Sequence, residues 1–158
     1  MATLLQFSKN MRSRASQIRN APVRIIRRAA FASLKAAASG TPVDKGVARS
    51  NWRLSIGART FSVIPAYFPG NKLGIGERSN LNATLAAGRN VLRGLKTRQV
   101  VILTNNVDYI DNLNAGSSGQ SSGGFVEAAG AAARISIAST RIFVRVRSPD
   151  GGFEEDLF

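Results

Sequence analysis

The chain has no cysteine and no histidine in its 158 residues. Their absence removes disulfide scaffolds, thiolate and imidazole metal ligation, thiol nucleophiles and every histidine-based triad. Acids are scarce too: nine Asp plus Glu, four of them in the last nine residues. Carboxylate, lysine, tyrosine or serine chemistry is all that is left to an enzyme, so the sequence reads as non-enzymatic, without metal or cofactor. No run approaches the roughly 20 consecutive apolar residues that span a bilayer. The first apolar cluster, Leu4, Leu5 and Phe7, is broken by Lys9, Arg12 and Arg14, whereas a secretory signal keeps its apolar centre intact. Synthesis and assembly in a cytoplasm, away from membranes, is the expectation.

What the chain has is positive charge. Lys plus Arg number 22, giving a net charge of +13. No acid precedes Asp44, and the segment through Gly40 carries eight cations, six of them arginine. Such a surface attracts nucleic acid, an anionic membrane or an acidic patch on a partner subunit, and the arginine bias favours phosphate or carboxylate forks. A solvated face that only confers solubility is the plain alternative. Arg12, Arg19, Arg24, Arg27, Arg28 and Lys35 are the candidate contacts to an anionic partner.

From Thr3 to Ala38 the apolar period is helical, with Leu4, Phe7, Met11, Ala15, Ile18, Ile25, Ala29, Ala32 and Ala36 in one stripe. Pro22 predicts a division into a segment ending near Asn20 and a second from Pro22 to Ala38. Thr41 to Gly46 reads as a turn in which Pro42 fixes a dihedral, Asp44 accepts from backbone amides and Gly46 supplies a positive φ. Ala48 to Ala58, with Trp52, Leu54 and Ile56 alternating, reads as a strand. A loop over Pro65 to Gly76 leads to a helix capped by Ser79 or Asn80 and running to Leu95. Gln99 to Thr104 is an apolar strand, and Ser117 to Gly124 is flexible by composition. A third helix is expected from Gly124 or Phe125 to about Ile137. Alternation over Ile142 to Val146 gives either a final strand or a continued helix.

The glycines of Gly70 to Gly76 lack the spacing of a phosphate loop. Asp108 and Asp111 have no third oxygen donor to make a cation site. Trp52 suits a core or a subunit contact.

Three stretches carry a resemblance. Thr41-Pro42-Val43-Asp44-Lys45-Gly46-Val47-Ala48-Arg49-Ser50-Asn51-Trp52 is similar to the TPVDTG-x-A/L-R-x-S-W signature of the tail-completion, or neck, proteins of long-tailed phages, the grouping that includes minor tail protein Z. Downstream, Ile102 to Ser118 resembles that family's strand, N-N-x-x-Y and L-E-x-G-x-S series, and Gly123-Gly124-Phe125-Val126 resembles the start of its last helix. Lys45 stands where threonine is common, Asn114 where glutamate is common, and the Ser/Gly run replaces a stiffer alanine and proline loop. The similarity extends over residues 1 to 140.

The resemblance implies a structural virion protein assembled in the host cytoplasm: a ring, a hexamer or a dodecamer, between the head connector and the tail tube. Its partners would be copies of itself, a head-completion or connector protein, and a tail tube or terminator protein. Double-stranded DNA would pass through it, contacted without sequence preference. The alternative is a basic, sequence-independent DNA-binding module acting as monomer or dimer.

The fold expected is α+β: a long proline-broken N-terminal helix, a small mainly antiparallel sheet around 48–58, 99–104 and 141–147, and two further helices. Residues 1–148 form one domain, with a basic helical arm over 1–40 and an α+β core over 41–148. An acidic tail, 149–158, follows. Trp52, Tyr109, Phe125, Phe153, Leu157 and Phe158 are the candidate interface residues, and the tail is expected to lie across a basic neighbour.

Overall fold

The computed structural model describes residues 4–70, 74–147 and 153–157. It mixes helix and sheet, in the order α1 (Leu4–Gly40), α2 (Val47–Ser50), β1 (Arg53–Ile56), α3 (Glu77–Arg93), β2 (Val101–Thr104), α4 (Ile110–Asn114), α5 (Phe125–Ala138), β3 (Phe143–Arg147) and β4 (Phe153–Leu157).

Helix α1 is one uninterrupted element of 37 residues, roughly 55 Å long at 1.5 Å per residue, and Pro22 does not divide it. Pro22 and Ile18, whose carbonyl loses its helical donor, are both exposed. Water can therefore reach the orphaned carbonyl, and the helix continues through the proline.

Only the second half of the alanine stripe packs within the chain: Ala29 is buried, Ala32 and Ala36 are half-buried, and Ala15 is exposed. Helix α5 runs antiparallel along the second half of α1, because Gly40 abuts Phe125 at the start of α5 while the Ser33 hydroxyl donates to the Ala129 carbonyl one turn later (2.9 Å). Ala29, Ala37, Ala38 and Ala129 are buried, and small side chains permit this approach. On another side Leu34 of α1 fills the space that a Cβ on Gly88 of α3 would occupy. The core joins Leu34, Ala37, Trp52, Leu54, Leu85, Leu92, Val107, Ile110 and Phe125. Burying side chains of this kind contributes about 1.5–3 kcal/mol each.

The expected strand over 48–58 is shorter than its alternation suggests. Gly46 adopts φ 82° and starts the helical turn α2, so pairing begins only at Arg53. Strands β1 and β2 then pair antiparallel, Arg53 opposite Thr104 and Ile56 opposite Val101. Residues 143–147 do not join them. They form a separate antiparallel pair with β4, Phe143 opposite Leu157 and Arg145 opposite Glu155. Residues 153–157 of the acidic segment are thus a strand paired with the chain's own β3. Phe158 lies outside the described residues.

Helix α3 starts at Glu77 after Gly76 (φ 74°), not at a Ser79 or Asn80 cap. Asn80 is fully buried and serves elsewhere. Its amide accepts from Phe68 N (2.9 Å) and Ser50 Oγ (2.9 Å) and donates to Phe68 O (2.8 Å) and Gly76 O (2.9 Å). Asn51 holds Ile64 through two bonds of 2.8 Å, and Asn106 holds Thr60 O at 2.8 Å. These amides fix an irregular loop that has no ladder of its own.

Candidate anion-binding surface

The cations expected to meet an anion are not on one face. At the helical period Arg24, Arg28 and Lys35 share a side of α1, while Arg12 and Arg19 share another; all five are exposed. Arg27 is not available to a ligand in the same way. Its Nη2 donates to Arg93 O and Leu95 O, both at 3.0 Å, placing a positive charge at the carboxyl end of α3, where the helix dipole favours one. Over residues 4–20 nothing is buried, and the half-buried side includes Gln6, Asn10, Arg14 and Gln17, none of them free. Leu4, Phe7, Met11 and Ile18 remain 48–90% exposed, so this part of the apolar stripe does not enter the core.

Helix α3 adds cations that the reading of α1 alone missed. Arg89 and Arg93, four residues apart, are exposed and face Arg28 across a groove of about 350 Å³. The Arg89 guanidinium lies 4.7 Å from the centroid of the Phe31 ring. The signal was present in the sequence as an i, i+4 arginine pair on a predicted helix.

The turn Thr41 to Gly46 is built mainly by its first and last residues. Thr41 Oγ1 donates to Ala37 O (2.7 Å) and accepts from Trp52 Nε1 (2.7 Å), joining the end of α1 to the entrance of β1. Buried Arg49 donates to Thr41 O (2.6 Å from Nη2) and to Glu77 O (3.2 Å), and pairs with the Glu77 carboxylate at 3.0 Å. Gly46 has the expected positive φ. Asp44 does not fill the expected role. It is exposed, and no amide of the described residues donates to its carboxylate. The main chain of Val43 does the bonding instead, accepting from Gly74 N (3.0 Å) and donating to Gln120 Oε1 (3.0 Å). Partial burial and the Asp44 charge push the Tyr109 phenol above its ordinary pKa. Pro42, Asp44 and Tyr109 line a cleft of about 350 Å³.

Among the proposed interface residues, Trp52 and Phe125 are interior, at 7% and 2% exposure, with rings edge-to-face at 6.0 Å. Trp52 thus takes the core alternative, and neither ring is open to a partner. Tyr109 is open at 46%. Phe153 and Leu157 are the two ends of β4.

The Ser/Gly stretch is also held by bonds within the chain. Ser121 Oγ donates to Gly40 O (3.1 Å), and Gly124 N donates to Asn114 O (2.8 Å). Asn114 Oδ1 accepts from Val126 N (2.9 Å) and Nδ2 donates to Glu127 (3.0 Å), capping α5 from outside it.

Among the described residues no group of three or more His, Cys, Asp or Glu could hold a metal, and no helix is long and apolar enough to cross a membrane. Comparison of the chain with models of known families, with curated proteins and with solved structures found no match.

Proposed function

We propose that this chain is a structural subunit of a phage neck, forming a homo-oligomeric ring that joins the head connector to the tail tube and lets DNA pass. The observation that carries the reading is the resemblance of Thr41 to Trp52 to the neck-protein signature. Two physical features favour it. The cations of α1 have no acid on the same helix, so copies arranged around an axis would form a basic collar holding DNA by salt-screened phosphate contacts. Leu4, Phe7, Met11 and Ile18 leave apolar surface open on α1, the kind of surface a subunit contact covers.

Native mass spectrometry and negative-stain imaging of the purified chain, alone and with candidate connector and tail-tube proteins, test the assembly. Duplex binding measured against salt tests the collar. Closed rings and weak, sequence-indifferent binding with a steep salt slope are expected. A monomer or dimer that binds duplex without forming rings under any of these conditions refutes the neck reading and leaves the DNA-binding module.

A further inference from the structure

The groove between α1 and α3 is lined by Arg27, Arg28, Phe31, Arg89, Leu92 and Arg93. No acid lies among them, and the single acid of the two helices, Glu77, stands at the opposite end of α3, paired with Arg49. Arg27 is committed to the carbonyls of Arg93 and Leu95, which leaves Arg28, Arg89 and Arg93 as the rim. Stacking on Phe31 uses the face of the Arg89 guanidinium and leaves its in-plane N–H donors for a carboxylate. The floor is apolar: half-buried Phe31 and buried Leu92.

We propose that this groove docks an acidic segment of a partner protein, one that places an aromatic or aliphatic side chain between carboxylates. Charge complementarity sets the sign of the occupant, and the floor sets its class. A DNA backbone would satisfy the rim but has no apolar group for Phe31 and Leu92, so the floor would stay hydrated. A peptide with an apolar side chain between carboxylates satisfies both. Arginine with an aromatic side chain, and no lysine, is also the composition of protein-interface hot spots. The proposal is independent of ring formation.

The test is fluorescence anisotropy at low salt with the full chain and three labelled probes: the peptide Glu-Glu-Phe-Glu-Glu, its Glu-Glu-Ala-Glu-Glu counterpart, and a short random-sequence DNA duplex. The phenylalanine peptide should bind about tenfold tighter than the alanine peptide, the difference expected of one apolar anchor. Changing Arg28→Gln and Arg93→Gln together should weaken it by a similar factor, with circular dichroism unchanged. Equal binding of the two peptides, or binding of neither, overturns the proposal. Loss of duplex binding in the double variant while neither peptide binds would make the groove a nucleic-acid surface instead. The comparison between peptides uses the unaltered protein, so it does not depend on the variant folding.

Discussion

Replacing Gly46 by alanine should destabilise the chain well beyond an ordinary surface change, and the structure separates the cost into two parts. The first is conformational. Gly46 sits at φ 82°, where a Cβ meets its own backbone at about 1–2 kcal/mol. The second comes from a neighbour, because that Cβ would lie 2.5 Å from Asn80 Nδ2 and 3.1 Å from its Cγ. Asn80 must move, and its buried amide makes four hydrogen bonds that tie α2 and the 57–70 loop to α3. Stranding one or two buried partners costs about 1–3 kcal/mol each. The expected loss is about 3–5 kcal/mol, or a fall of about 10 °C in Tm for a domain of this size. Urea denaturation followed by Trp52 fluorescence at fixed protein concentration measures it. In an Asn80→Ala background the clash with Asn80 disappears, and the conformational part, about 1–2 kcal/mol, should remain with the lesser contact to Ala66 Cβ at 3.3 Å. A single-variant loss under about 1 kcal/mol, or an equal loss in both backgrounds, refutes the reasoning.

Arg49→Met should cost about 3–5 kcal/mol, because it strands buried carbonyls, whereas Glu77→Gln on the 57%-exposed side of the same ion pair should cost under about 1 kcal/mol; denaturant midpoints compare them. Arg24→Gln with Arg28→Gln should flatten the salt dependence of duplex binding without changing stability. Adding Arg27→Gln should lower stability by about 1–3 kcal/mol, since it removes the two bonds to the end of α3; equal melts for the double and triple variants would contradict this. The Asn114 amide, and then Glu127's own backbone N–H, hold the Glu127 carboxyl below its ordinary pKa. Its contribution to stability is therefore present above the unfolded-state pKa and is lost as pH falls through the depressed folded value. Asn114→Ala should raise the Glu127 midpoint in an NMR titration, and an unmoved midpoint would count against the assignment.

Helices with strong periodicity were legible: α1, α3 and α5 lie close to where apolar spacing puts them. Pro22 misled because its effect depends on whether the orphaned carbonyl meets water, which sequence spacing does not encode. Val47 to Ser50 misled because alternation around Trp52 does not register that Gly46 nucleates a helical turn first. That 153–157 pairs with β3 was not legible, since pairing register is a tertiary property. Of the site, the cations of α1 were readable singly. Their division among a capping arginine, an exposed row and a groove shared with Arg89 and Arg93 arises only when α3 packs beside α1.

The antiparallel seating of α5 on α1 also bears on synthesis. Leu34, Ala37 and Ala38 are fully buried, and Phe125 and Ala129, which help to cover this part of α1, come roughly 90 residues later in the chain. On a ribosome, α1 would emerge long before these partners, leaving its apolar surface open while the intervening chain is made. Contacts so distant in sequence also slow folding. The chain would therefore complete its core late, when α5 has cleared the exit tunnel. During that interval the arginines of α1, with no acid among them, would repel those of another nascent chain.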